Sequence, residues 1–151
     1  MTQVISGYTK LIAHIGWPTG SFKAPMIFNP YFEKEGIDTL VVPMGCKGED
    51  YPEFFKSLFQ LQNITGALIT MPHKVSTVDM LDEVSTSVQV CGACNAVRKE
   101  ADGRLVGDTP APIGFKITDA NPAEEYMSNP SLDAYLLNAE LFVRQSQWEA
   151  P

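Results

Sequence analysis

Apolar and polar residues follow one another in blocks along this chain, and the blocks repeat in a strand–helix order. Short apolar runs that end near Pro or Gly predict three buried strands, at residues 11–17, 40–43 and 64–70. Apolar residues at helical spacing after each run predict three helices, at residues 24–36, 51–62 and 74–81. In the third helix, three apolar side chains are expected to face inward: Val75, Val78 and Leu81. This order calls for an α/β fold, a three-layer α/β/α sandwich with a mostly parallel sheet.

The pattern changes in the later part of the chain. Two segments of strand character, 93–98 and 104–107, flank an Asp-Gly turn, and this arrangement predicts a β-hairpin. Residues 108–130 are rich in Pro, Asp, Asn and Thr and are predicted to be mostly loop. Helical periodicity returns at 132–148, which predicts a C-terminal helix.

Composition narrows the classes of partner. The chain has 151 residues, 44% of them hydrophobic, which suits a compact domain with a core. A net charge of -7 argues against nucleic acid or an anionic membrane surface as a partner. The sequence shows no signal-peptide pattern and no apolar run of transmembrane length, and its three cysteines favour a reducing compartment. We therefore expect a cytoplasmic location.

The densest cluster of chemistry-bearing side chains is Thr70-Met71-Pro72-His73-Lys74, directly after the third predicted strand. Pro72 cannot continue a β-ladder, so the chain must turn there. A hydroxyl, an imidazole and an ammonium are thereby gathered past the carboxyl end of a strand, where open α/β sheets bind ligands. Lys74 is the candidate catalytic residue, because partial burial lowers the pKa of a lysine toward neutral pH.

Four short motifs add to this cluster when their order and spacing are taken together. They are Thr-x-Pro-His-Lys at 70–74, Leu-Asp-Glu-Val-Ser at 81–85, Gly-Ala-Cys-Asn-Ala-Val at 92–97 and Asp-Gly-Arg-Leu-Val-Gly at 102–107. Between residues 11 and 115 the chain resembles the shikimate dehydrogenases, specifically their N-terminal substrate-binding domain. That family interconverts shikimate and 3-dehydroshikimate with NADP, in aromatic amino acid biosynthesis.

The resemblance implies roles for individual residues. Lys74 is implied to be the acid/base lysine beside the reacting oxygen, Asn95 to hydrogen-bond ring hydroxyls, and Thr70 to lie near the carboxylate end of the ligand. On the C-terminal helix, Glu140 falls at the position of a ligand-binding Gln of the family. The implied ligand is a small hydroxylated carboxylic acid, similar to shikimate or quinate.

Other positions depart from the family pattern. Ala111 stands where the family has its catalytic aspartate, and Asp108 is not expected to replace it. The serine pair that binds the substrate carboxylate becomes Phe22 and Ala24, a change that leaves Lys23 and Ser21 as the candidate contacts for an acid. Leu68 likewise replaces a polar residue of the family.

The resemblance also sets the expected domain organisation. It implies a substrate-binding domain at 1–115, a linker at 116–131 in place of a nucleotide-binding domain, and a returning helix at 132–151. Because no Gly-rich strand–turn–helix fingerprint is visible, no cofactor is expected in this chain, whereas the complete family uses NADP.

Three hypotheses remain open at this point. The first is a substrate-binding domain that holds a hydroxy acid but cannot transfer hydride alone. The second is half of a split or truncated NADP-dependent enzyme that is active only with a nucleotide-binding partner. The third is a ligand-free structural module that dimerises through apolar surface. Whether the chain by itself is an enzyme is left open.

Several residues also have simpler interpretations. His73 is expected to be a structural hydrogen-bonding residue at the turn, and His14 a satisfied core or edge histidine. Asn95 either closes a turn or contacts the ligand. The Cys91 and Cys94 pair could suggest redox or metal chemistry, but no second pair accompanies it.

Overall fold

The structure is a computed structural model that describes residues 3–109. Six strands fall in this part of the chain: β1 Lys10–Gly16, β2 Thr39–Gly45, β3 Ile64–Ile69, β4 Glu83–Val84, β5 Ala96–Lys99 and β6 Leu105–Asp108. Three α-helices and one short 3-10 helix accompany them: α1 Ala24–Glu35, α2 Tyr51–Leu58, α3 Thr86–Cys91 and the 3-10 helix Val78–Met80.

The described strands form one sheet in the order β2-β1-β3-β5-β6-β4. Strand β1 is parallel to β2 and β3, and β4 is parallel to β6. Strand β5 is antiparallel to both its neighbours and so is the only reversed strand among those described. The carboxyl ends of β1, β2, β3 and β6 therefore meet the amino end of β5 at one edge of the sheet. The predicted mostly parallel sheet and the hairpin are both confirmed.

Helices cover both faces of this sheet, as the alternation of side chains along β1 requires. Ile12 packs with Phe28 and Phe32 of α1. Ala13, on the other face, belongs to the cluster that contains Phe55 of α2. The predicted three-layer arrangement is thus confirmed for residues 3–109.

Helix α1 is anchored to the sheet by a side-chain amide. Asn29 Nδ2 donates to the carbonyl of Val41 at 2.9 Å, and Asn29 Oδ1 accepts from the Val41 amide at 2.7 Å. This pair of bonds takes the place of a β-ladder partner at that point of β2 and fixes the distance between the helix and the strand.

The helix predicted at 74–81 is wrong. Consecutive turns lead there into the short 3-10 helix Val78–Met80, and Val75 is 65% exposed instead of facing inward. Both the amide and the hydroxyl of Thr77 donate to the carbonyl of His73, at 3.0 and 2.7 Å. This closes a single turn, and β-branched residues around it have low helix propensity.

Smaller differences concern element ends. Helix α2 ends at Leu58, four residues before the predicted end, and both α3 and β4 were missed by the periodicity because they are very short. The predicted helix at 132–148, Ala111 and Glu140 lie outside the described residues. Among residues 3–109, no helix has the length and apolar character needed to cross a bilayer.

Candidate functional site

The candidate residues Thr70, Lys74 and Asn95 come from chain segments that meet at one edge of the sheet. The Thr70 amide donates to the carbonyl of Ile15 at 2.9 Å, which extends the β1–β3 pairing to the end of both strands. The carbonyl of Asn95 accepts from the Ile69 amide at 2.8 Å. Strand pairing therefore positions both Thr70 and Asn95 through their backbones.

His73 frames the turn that carries the lysine. Its Nε2 lies 2.6 Å from the carbonyl oxygen of Cys46, just past β2, and its ring stacks on Tyr51 with centroids 3.8 Å apart. The Tyr51 hydroxyl lies 2.7 Å from the Thr77 hydroxyl. Since burial lowers the pKa of His73, the ring is neutral and Nε2 carries the proton that it donates to the carbonyl. The prediction that His73 is a structural hydrogen-bonding residue is confirmed.

Lys74 is only 8% exposed, and its carbonyl accepts from the Cys94 amide at 2.9 Å. Burial lowers the pKa of its ammonium, while the nearby thiols of Cys91 and Cys94 act in the opposite direction. A lysine whose pKa is lowered by burial can exchange a proton closer to neutral pH than a surface lysine can. Lys74 is therefore suited to proton transfer.

Asn95 uses its backbone in the sheet but not its side-chain oxygen. Its amide donates to the carbonyl of Asp108 at 3.2 Å. Its Oδ1 is buried and has no hydrogen-bond partner within residues 3–109. Leaving a buried acceptor unsatisfied costs about 1–3 kcal/mol, and whether Asn95 closes a turn or contacts a ligand stays a prediction.

The other end of this edge, after β1, is packed tightly around Gly16. A Cβ atom at Gly16 would lie 2.4 Å from Thr70 Cγ2 and 2.7 Å from the carbonyl oxygen of Met71. The Trp17 amide also donates to that carbonyl, at 2.9 Å. No side chain fits at Gly16, so the loops after β1 and β3 can approach each other only if this residue is glycine. The peptide bonds Trp17–Pro18 and Met71–Pro72, one in each loop, are cis.

His14 lies beside this close approach. Its ring stacks on Phe22, with centroids 4.2 Å apart and planes 27° from parallel. It is 8% exposed, and its buried Nδ1 has no hydrogen-bond partner among the described residues. Burial, with a contribution from the positive charge of Lys74, lowers the pKa of His14 to about 4. Of the expectation that His14 is a satisfied core or edge histidine, the core placement is confirmed by its burial, but no partner for Nδ1 is found within residues 3–109.

The predicted contacts for an acid lie on the surface of the loop after β1. Ser21 and Lys23 are exposed on either side of Phe22 in the chain. Their predicted role toward an acid stays a prediction, as does that of Glu140, which lies outside the described residues.

Asp108 is held away from a catalytic role. Its Oδ1 accepts from the Ser85 hydroxyl and from the Thr109 amide, each at 2.7 Å. The interpretation that Asp108 does not replace the family aspartate agrees with these contacts.

The three cysteines of the chain all lie within the described residues. Cys46, Cys91 and Cys94 are free thiols, and burial raises the pKa of Cys94 to about 11. Within residues 3–109, no three His, Cys, Asp or Glu side chains gather in a way that could hold a metal ion.

Fold and site together define a class of protein. A mostly parallel α/β sheet carries a buried lysine toward the edge where strands end, together with an amide oxygen and an imidazole nitrogen that have no partner within residues 3–109. Small polar molecules bind at such edges of α/β sheets. Residues 15–97 match the model of the shikimate dehydrogenase substrate binding domain, and the chain belongs to this family.

Individual relatives agree with the family model. The shikimate dehydrogenase (NADP(+)) of Pelobacter propionicus is 37% identical over 106 residues, which cover 70% of this chain and 38% of the relative. The enzyme of the same name from Pyrococcus furiosus is 35% identical over 113 residues, 75% of this chain and 41% of the relative. The chain thus spans about two fifths of the length of the curated relatives it matches.

Solved structures give the same answer for the fold. The crystal structure of shikimate 5-dehydrogenase from Listeria monocytogenes, in complex with shikimate and NAD, aligns with a TM-score of 0.67 at 27% identity. The alignment covers 73% of this chain and 37% of that chain.

Proposed function

We propose that this chain is the substrate-binding part of a shikimate dehydrogenase-like oxidoreductase and that it binds a hydroxy acid of the shikimate or quinate type. The observation that carries the proposal is the buried Oδ1 of Asn95, which has no partner among the described residues and lies at the same sheet edge as the buried Lys74. A ring hydroxyl would satisfy the amide oxygen, and the lysine would face the reacting oxygen. The domain boundaries at 115 and 131 belong to this proposal.

The chemistry proposed for the described residues is proton handling. A neutral Lys74 accepts the proton of a ring alcohol, or its ammonium gives a proton to the corresponding ketone oxygen. Thr70 and Asn95 orient the ring by hydrogen bonds. Burial of Lys74 supports this role, because it brings the pKa of the ammonium closer to the working pH.

The described residues do not fit the NADP of the wider family. A glycine at a strand–helix turn admits a pyrophosphate only where its surface is open, and the space beside Gly16 is filled by Thr70 and Phe22. Hydride transfer would therefore require a nucleotide-binding domain other than residues 3–109, and no hydride step is assigned to this chain alone.

A titration of shikimate and quinate, followed by two-dimensional amide NMR, tests this proposal. Amide shifts are expected to cluster at Thr70, Lys74 and Asn95. Lys74→Met should weaken binding at least tenfold, whereas Lys56→Met, at an exposed lysine on α2, should leave it unchanged. An absence of shifts at millimolar ligand would overturn the proposal.

A second candidate function is one part of a split NADP-dependent enzyme. It is favoured because the chain matches only 38% of the length of the Pelobacter propionicus enzyme. In that case a separate nucleotide-binding chain completes an NADP-linked enzyme, and Ala111→Asp raises its rate. Mixing the chain with such a domain and measuring shikimate-dependent reduction of NADP would show turnover. A homodimer stays a prediction, and sizing chromatography at high concentration tests it.

A further inference from the structure

The region around His14 is chemically unlike the lysine end of the site. On the sheet, His14 pairs with Pro43 of β2 on one side and with Leu68 of β3 on the other. Neither neighbouring side chain can donate or accept a hydrogen bond. Phe22 covers the ring face. The imidazole therefore has apolar side chains on both flanking strands and on one ring face, and its Nδ1 has no partner within the described residues.

This imidazole is continuous with the candidate site. Phe22, which stacks on His14, also lies 3.0 Å from where a Cβ of Gly16 would be, and Thr70 closes the same space from the other side. The positive charge of Lys74 also contributes to the lowered pKa of His14. A ligand held by Thr70 and Lys74 would extend toward the imidazole.

We propose that His14 is a specificity-determining residue whose Nδ1 hydrogen-bonds an uncharged hydroxyl of the ligand, so that the site prefers a ring polyol to the corresponding carboxylic acid. The proposal rests on the proposed function, because it assumes that the same site holds a hydroxylated ring. A hydroxyl fits either tautomer of a neutral imidazole, since it can both donate and accept. A carboxylate only accepts, and Lys74, the cation whose charge acts on His14, is assigned to the reacting oxygen of the ligand and not to this group.

Two probes that differ at one group test this preference. They are shikimate and the alcohol obtained by reducing its carboxyl group, in which a hydroxymethyl replaces the carboxylate. We expect the alcohol to bind the chain about tenfold more tightly than the acid. His14→Leu, which keeps a similar volume without a ring nitrogen, should remove that advantage and weaken the alcohol about tenfold.

The two proposals fail in different ways. If shikimate binds and the alcohol does not, or if His14→Leu leaves the alcohol unaffected, the specificity role is wrong while the proposed function stands. If neither compound shifts the amides of Thr70, Lys74 and Asn95, both proposals fail. The ¹⁵N chemical shift of His14 Nδ1 gives a direct readout in the same titration. If this chemical shift changes when the alcohol is added, and not when buffer alone is added, the contact is supported. If it stays constant, the contact is overturned.

Discussion

The two ends of the candidate site are built in opposite ways. At the β3–β5 end, the turn that carries Lys74 is held by hydrogen bonds and stacking to three residues outside it, Cys46, Tyr51 and Cys94. At the β1 end, His14 and Phe22 pack against apolar neighbours and leave a polar atom unsatisfied. The end with family residues is held by specific contacts from other segments, whereas the end with departures is packed by apolar groups. Each end also contains a buried polar atom without a partner within residues 3–109, Asn95 Oδ1 at the first and His14 Nδ1 at the second. Under the two proposals made above, the lysine end carries proton transfer and the His14 end sets the choice of ligand.

The largest effect is expected from a substitution that forces the two ends apart. Gly16→Ala places a methyl group 2.4 Å from Thr70 Cγ2 and 2.7 Å from a backbone oxygen. The loops after β1 and β3 must then separate, at a cost of about 3 to 4 kcal/mol. Chemical denaturation measures this loss. Gly20→Ala, in the same loop but with nothing within 4 Å, is the matched control. Equal stability of the two variants would contradict the account of Gly16.

A somewhat smaller loss is expected at the rigid end alone. His73→Ala removes the bond to the Cys46 carbonyl and the stack on Tyr51, both buried. We expect a loss of about 3 kcal/mol in the free energy of unfolding. Tyr51→Phe keeps the stack and removes only the hydroxyl bond to Thr77, so it should cost about 1 kcal/mol. If Tyr51→Phe lowered the free energy of unfolding more than His73→Ala, the turn that carries Lys74 would not depend on His73.

Lowering the pH should reduce the stability of the fold through His14, at the β1 end of the site. The pKa of His14 is about 4 in the folded state and 6.5 in the unfolded state. Above pH 6.5 the imidazole is neutral in both states. Below it, the unfolded chain binds a proton that the folded chain does not, so the free energy of unfolding falls as the pH drops toward 4. Between pH 7 and pH 4.5 this contributes a loss of about 2 kcal/mol.

The variant His14→Leu isolates that contribution from the carboxylates and from His73, whose pKa burial also lowers. The free energy of unfolding of the variant, minus that of the original chain, should rise as the pH is lowered from 7 to 4.5, because only the original chain loses the contribution of His14. Thermal unfolding across this pH range is the measurement. A constant difference would show that His14 titrates in the folded state as it does in the unfolded state.

The smallest effect on stability is expected at Asn95. Because its Oδ1 is buried without a partner in the described structure, Asn95→Ala should change the free energy of unfolding by no more than about 1 kcal/mol. Ligand binding should nevertheless fall at least tenfold. Thr109→Ala offers a contrast, since its hydroxyl donates to the Ala93 carbonyl at 2.6 Å and its loss should destabilise the fold. If Asn95→Ala were the more destabilising change, the residue would be structural.

Much of the fold could be predicted from periodicity, because β1, β3 and α1 are long enough for their side-chain pattern to stand out. The segment after Lys74 was predicted wrongly, since Thr77 captures the His73 carbonyl and ends the turn, a local event that apolar spacing does not report. The part of the site around Lys74 could be predicted from the Pro-His-Lys sequence that follows a strand. The unsatisfied state of His14 could not, because it depends on Pro43 and Leu68 pairing beside it in space.

The central claim is that one ligand contacts both Asn95 and His14. Its most direct test is a titration of the isotope-labelled chain with the alcohol obtained by reducing the carboxyl group of shikimate. The side-chain amide of Asn95 and the imidazole nitrogens of His14 are observed together by NMR. If one ligand spans both ends of the site, the two side chains should respond at the same ligand concentration and saturate together. A response at neither side chain, while the backbone fold is intact, would contradict the claim that this sheet edge is a ligand-binding site.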